Sequence, residues 1–404
     1  MSSRLAAGPQ EQPEVELGYG WVVVWSTALA LAVIFGVSYS FAAFFESFAT
    51  EFSAGRSEVS LVFGVSGLLY FVLGAVGGLL ADRFGPRLVA SAGMLCIAAS
   101  LLAGSQATSM AGVTLFYGVG LGVGIALVYT PSIGCVQPWF TRRRGLAAGM
   151  ASAGIGAGTL VVPLLTAWAI AQWQWRGARW ALAALVLTLG LASTLMLRRA
   201  PAASAPRGSH APGTPFGQAV RSPAFLWMYA MCLMGAPAMF VPFAHLSASA
   251  RDLGIADAQA VGLVGLIGVG SLVGRFAVSA LADRLGRPRS LVAVMASLGL
   301  SMGLWLLSPN YATLAVFALW MGLSYGGSVS LMPALCMDLF GARAVSSIIG
   351  MLYTGAALGN LGGPWVAGWV FDATGSYAGV IAGCGLLALC SAYAAWRAVV
   401  RGSR

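Results

Sequence analysis

The sequence predicts an all-α membrane protein with twelve transmembrane helices in two pseudo-symmetric six-helix halves. Of its 404 residues 59% are hydrophobic and only 8% charged, with mean hydropathy +0.84. An ordinary water-soluble domain does not carry so few charges. Apolar stretches long enough to cross a hydrocarbon core of about 30 Å recur along the whole chain. A set of residues also repeats at a constant offset of 201 positions.

The apolar stretches fall at about 18–45, 58–81, 87–106, 110–136, 145–171, 179–197, 223–249, 258–282, 290–308, 311–337, 345–371 and 376–396. An even number places both chain ends on one side. Residues 1–17 form a polar tail carrying Glu11, Glu14 and Glu16, which is not the pattern of a cleavable signal peptide. Residues 198–221, rich in Pro, Ala, Ser and Gly, read as a linker between an N-terminal half at 18–197 and a C-terminal half at 222–397, with 398–404 as a second tail.

Every one of the 22 basic residues is an arginine. One set of inter-helix segments holds seventeen of them, from Arg4 to Arg404; the opposite set holds Arg56, Arg176, Arg179 and Arg251, and Arg275 is left inside the membrane. The positive-inside rule then puts both termini in the cytoplasm of a multi-pass protein of the plasma (inner) membrane. The formal charge of +10 is spread over short loops, so no nucleic-acid partner is expected.

The repeat is specific. Asp82-Arg83-Phe84-Gly85 recurs as Asp283-Arg284-Leu285-Gly286, and the same offset carries Arg142 to Arg343, Gly149 to Gly350, Gly154 to Gly355, Gly158 to Gly359 and Pro163 to Pro364. Duplicated halves related by an axis along the membrane normal place a binding site at their interface near the midplane. Gly118, Gly120, Gly122 and Gly124 superficially suggest a phosphate loop, but they lie inside an apolar run. Small faces that let helices approach closely account for them better. The six cysteines form no Cys-x-x-Cys pair and read as buried thiols.

Arg275 is the residue from which function is read. The run from Ala258 to Ala282 holds no other charge, and Asp283 closes it eight residues later. At about 1.5 Å per residue Arg275 sits about 12 Å inside that end. Insertion scales assign roughly 2.5–3.5 kcal/mol to such an arginine, so it is expected to face a cavity and bind. A guanidinium forks onto a carboxylate and keeps its charge at any biological pH. The alternative is a structural pairing with backbone carbonyls or Glu46.

Gly78-Leu79-Leu80-Ala81-Asp82-Arg83-Phe84-Gly85-Pro86-Arg87 resembles the loop motif of the major facilitator superfamily, with a degenerate second copy at Ser279 to Arg289. Trp139-Phe140-Thr141-Arg142-Arg143-Arg144-Gly145, continuing to Gly154, is similar to the fifth-helix motif of monocarboxylate transporters and bacterial oxalate–formate antiporters. Ala367 to Tyr377 and Gly20-Trp21 resemble monocarboxylate transporters as well. The resemblance implies the major facilitator fold and an eighth-helix arginine, here Arg275, that binds the substrate carboxylate. The chain departs from the mammalian carriers in having Ala43 where they place a lysine and Ser271 where they place an aspartate. Where the oxalate carrier places a second cation, Leu352-Tyr353-Thr354 leads instead to Gly355 and Ala356. One cation suits one carboxylate, because a dicarboxylate would bring an unpaired buried charge.

His245 is the only histidine near the membrane; it is read either as proton carrier and substrate contact or as an interfacial residue capping carbonyls. His210 falls in the linker. Tyr117, Tyr325 and Asn360 are candidate hydrogen-bond donors to a small anion, with packing as their alternative. Glu46 and Asp257 are further proton-coupling candidates. The resemblance assigns gating to Asp82, Arg83, Arg142, Asp283 and Arg284.

The expected function is proton-linked transport of a small monocarboxylate such as lactate or pyruvate by a monomer in the lipid bilayer, through alternating access. Oxalate–formate-type exchange, multidrug or sugar transport and a substrate-sensing receptor are the rivals. No nucleophile–base or metal-ligand spacing points to an enzyme, and neither cofactor nor metal is expected.

Overall fold

The computed structural model describes residues 18–140, 144–200, 213–341 and 343–402. The described chain is almost entirely helical. The N-terminal half comprises α1 (Tyr19–Phe52), α2 (Arg56–Phe84), α3 (Pro86–Gly104), α4 (Met110–Val136), α5 (144–173) and α6 (175–195). The C-terminal half comprises α7 (Pro223–Asp252), α8 (Asp257–Leu285), α9 (Arg287–Leu306), α10 (Tyr311–Phe340), α11 (Val345–Thr374) and α12 (Ala378–Gly402).

Among the described residues ten helical stretches are long and apolar enough to cross a membrane. One of these, Leu146–Leu195, contains both α5 and α6, and α11 is a further 30-residue helix. The separation of α5 from α6 rests on Gln174, whose φ of 59° and ψ of 175° interrupt the helix. The chain then returns: the α6 start meets the end of α1 through Arg176 and Glu51, while Met196, past its end, meets Tyr19. The twelve helices are consistent with the expected spans, but most helices extend a few residues further than the apolar runs.

Glycines set the packing, and they do so twice. A Cβ at Gly154 would lie 1.9 Å from the Ala28 carbonyl oxygen, and one at Gly158 2.0 Å from that of Ala32, so α5 lies directly on α1. Their repeat partners, Gly355 and Gly359, press α11 on α7, with a Gly359 Cβ 2.8 Å from the Leu233 oxygen. Lipid is as apolar as leucine, so such close van der Waals contact, rather than water exclusion, joins helices here. Between the halves, Gly156 and Gly268 face each other across α5 and α8, and Gly64 meets Leu361 across α2 and α11.

Among the described residues, the hydrogen-bonded contacts that lock the halves together lie on one side. Tyr39 stacks on Phe243 at 4.0 Å, Ser247 donates to the Ala42 carbonyl, Ser60 donates to that of Pro364, and Arg56 reaches Asp252. Among the described residues, every hydrogen bond and ion pair between the halves lies at mid-membrane or toward the face opposite the termini.

Candidate functional site

Arg275 lies on α8, ten residues before its end, and is 4% exposed. Its Nε and Nη2 are buried with no hydrogen-bond partner. One turn earlier on the same face, the Ser271 hydroxyl is buried and unpartnered too. A buried charged donor left without an acceptor costs several kcal/mol, so these groups are available to an acceptor that enters beside them. Neither backbone carbonyls nor Glu46 satisfies the Nε and Nη2 donors; Glu46 is exposed and lies 3.5 Å from Thr50 Oγ.

Three phenols, drawn from both halves, lie within electrostatic reach of this charge. The guanidinium acts electrostatically on the hydroxyls of Tyr39, Tyr129 and Tyr325. The Tyr39 and Tyr325 hydroxyls bond each other across the half interface at 3.0 Å. Tyr129 and Tyr325 also form part of the wall of a cavity of about 760 Å³, counting its open mouth. Arg275 is not itself on that lining. The lining runs from Phe35 and Phe240 to Leu291 and Met295 near the start of α9, and thus toward the face that carries the termini.

On the opposite face a latch closes the halves. Arg56, at the start of α2, forks onto Asp252 at the end of α7 with distances of 2.6 and 2.7 Å. Its guanidinium carbon sits 3.7 Å from the Phe371 ring centroid. Asp372 of α11 accepts from the backbone N–H groups of Arg56 and Ser57 and from the Ser57 hydroxyl, so it caps α2 from the other half.

His245 is wired into this latch. It is fully buried, with Nε2 2.8 Å from the Pro364 carbonyl and Nδ1 2.9 Å from the Tyr377 hydroxyl. A carbonyl only accepts, so Nε2 carries the hydrogen and Nδ1 accepts from Tyr377. The Tyr377 oxygen in turn accepts from Arg56 Nη1 at 2.8 Å. Burial pushes the Tyr377 phenol well above its ordinary pKa, which keeps the donating hydrogen in place.

Of the residues singled out from sequence, the structure brings Arg275 and Tyr325 together. Tyr117, in a π-helical stretch of α4, donates to the Val37 carbonyl at 2.9 Å and does not line the cavity. Asn360 is buried with its amide unpartnered, packed against Gly67 rather than on the cavity wall. Asp257 is exposed and paired with Arg251 at 2.7 Å. Asp82, Arg83 and Arg284 are exposed at the terminal face, with Arg83 over the Phe84 ring and the Asp82 carbonyl accepting from Arg199. Arg142, His210 and the Asp283 side chain lie outside the described residues.

Arg179 is a correction. Placed in an outer loop by its position, it is 0% exposed, with all three guanidinium nitrogens unpartnered and the rings of Phe44, Phe48, Tyr117 and Trp175 within 5.7 Å. Missed as well were the Arg56 latch and the lining phenols Tyr70 and Tyr129. A tyrosine within an apolar run was the available signal for the phenols; for the latch there was none, because its partners lie 196 and 316 positions away from Arg56.

The sequence pattern described as Major Facilitator Superfamily matches residues 27–300 and 238–403. Monocarboxylate transporter 13 of Bos taurus is 31% identical over 376 residues, covering 92% of this chain and 88% of that protein. Monocarboxylate transporter 3 of Rattus norvegicus is 31% identical over 93% of this chain and 77% of its own. Among solved structures, a bacterial homolog of the human lysosomal transporter Spinster, in an inward-facing and unoccupied conformation, superposes with a TM-score of 0.69 at 15% identity, covering 96% of both chains. A peptide transporter POT bound to sulfate gives 0.76 at 13% identity, covering 98% of this chain and 96% of that one.

Proposed function

The chain belongs to the Major Facilitator Superfamily, and from that premise we propose that it is a secondary transporter moving a small monocarboxylate with a proton. The buried Nε and Nη2 of Arg275, which lack a hydrogen-bond partner, are the observation that carries this reading. A carboxylate entering from the cavity forks onto Nε and Nη2, with Ser271 as a further donor. Its approach competes with the Tyr39–Tyr325 hydroxyl bond, so binding at the site bears on the contact between the halves. The missing second cation limits the substrate to one carboxylate.

With the arginine-rich face on the cytoplasmic side of the plasma membrane, the described state is open inward and latched outward. Alternating access then rocks the halves so that Arg275 meets each side in turn, with Asp82, Arg83, Arg142, Asp283 and Arg284 closing the inner end. Asn360, which packs on Gly67 across the interface, joins the site when the halves move, whereas Tyr117 stays bonded to the Val37 carbonyl within its own half. Of the proton-coupling candidates, Glu46 and Asp257 are exposed, whereas His245 is connected to the latch. A proton on Nδ1 removes the acceptor of the Tyr377 hydroxyl and adds positive charge beside Arg56, which favours outward opening.

The test is uptake of labelled lactate and pyruvate into proteoliposomes under an imposed pH gradient, with Arg275→Ala as control. Uptake driven by the gradient in the wild type and lost in the variant is expected. Retained uptake in Arg275→Ala overturns the site, and uptake indifferent to the gradient overturns the proton coupling.

A further inference from the structure

We infer that this protein prefers a carboxylate bearing an aromatic side chain, so that aryl-substituted 2-oxo or 2-hydroxy acids are bound more tightly than three-carbon acids. The inference rests on the monocarboxylate reading of Arg275 and takes its evidence from the rest of the cavity.

The cavity is polar at one end and apolar elsewhere. Tyr129 and Tyr325 stand at the end on which the Arg275 charge acts. Away from it the wall is built by Phe35, Phe71, Phe240, Met239, Met295 and Met332. The lining extends well past that end, to Leu291 and Met295. A pyruvate held at Arg275 leaves this wall facing water, since it has only a methyl group to offer.

The wall also has the chemistry of an aromatic receptor. Tyr70 packs on Phe71 with ring centroids 4.3 Å apart, and Phe71 meets Phe240 and Tyr353 edge-on or tilted, at 6.0 and 5.6 Å. A further ring fits such a set by edge-to-face or offset contacts. Methionine thioethers favour ring edges and adapt to the shape of the guest. No second cation or carboxylate stands on the lining, so the tail it takes is uncharged.

The experiment compares pyruvate with phenylpyruvate, which share a head group and differ by one phenyl ring. Binding to the purified full-length protein is measured by calorimetry, and uptake is measured in proteoliposomes. Burying a ring predicts binding of phenylpyruvate about ten- to a hundred-fold tighter than that of pyruvate. Ala356→Phe, which narrows the lining, is expected to remove most of that preference while leaving pyruvate within about two-fold. Phe71→Ala, which cannot overfill the cavity, lowers the phenylpyruvate affinity by a second route. Equal affinities for the two acids, with pyruvate binding still abolished by Arg275→Ala, overturn the inference and leave the carboxylate reading standing. Binding of neither acid overturns both.

Discussion

Removing Asp252 should unlatch the outer face. In the closed state Arg56 forks onto Asp252, bonds the Tyr377 hydroxyl at 2.8 Å and lies over Phe371. The Asp252 side chain is 37% exposed and that of Arg56 18%, so solvent screens the pair. An open surface pair is worth about 0.2–1 kcal/mol, and hydrogen bonds to charged groups about 1.5–3 kcal/mol. The bidentate geometry and half-buried arginine put Asp252→Ala between them, at about 1–2 kcal/mol. At about 1.4 kcal/mol per tenfold, that shifts the open-to-closed ratio roughly 5- to 30-fold. Arg56→Ala adds the Tyr377 bond and the ring contact, for about 2–4 kcal/mol in all. The reporter is a thiol at Ser60, which is fully buried behind the latch. In a cysteine-free background carrying Ser60→Cys, the rate of labelling by an impermeant maleimide from the outer side should rise by that ratio in Asp252→Ala, and further in Arg56→Ala. A rate within two-fold of the parent in both variants would show that Arg56 does not hold the outer face shut.

Two further expectations concern packing. Gly104→Ala brings a Cβ to 2.2 Å from Arg179 Nη1, a group hemmed in by four rings, and should lower the stability of the purified protein by about 1–3 kcal/mol. The same substitution in an Arg179→Met background should cost much less, and equal losses in thermal unfolding with and without the guanidinium would refute the cage as its cause. Gly158→Ala should separate α5 from α1, because the new carbon meets the Ala32 oxygen at 2.0 Å. Its repeat partner, Gly359→Ala, meets the Ala236 side chain at 2.5 Å and should be milder, with size-exclusion profiles and thermal midpoints giving the order.

The spans, the duplication and Arg275 as a cation within a membrane-length run were legible because each is written locally. A membrane-crossing helix must be apolar over its own length, and an arginine within one is conspicuous wherever its partners lie. The offset of 201 even carried over into packing, since Gly154 and Gly158 do on α1 what Gly355 and Gly359 do on α7. Side-chain surroundings were not legible in this way. Arg179 and Arg176 stand three residues apart near one helix end, yet Arg176 pairs with Glu51 at the surface while Arg179 is enclosed by rings from α1, α4 and α6. Tyr117 and Tyr325 looked alike as phenols in apolar runs. One is committed to the Val37 carbonyl, and the other faces the cavity.

Composition and periodicity alone thus determined that the chain crosses a membrane as two repeated halves with Arg275 inside an apolar run, because bilayer thickness imposes those features on every segment separately; that Arg179 is buried as well was decided by the tertiary structure. Which face is shut, which phenols meet Arg275 and how His245 joins Arg56 were decided only by the tertiary structure. Those contacts span up to 321 positions and form where helices from different halves converge. No residue's own neighbours in the chain encode which side of the interface it will meet.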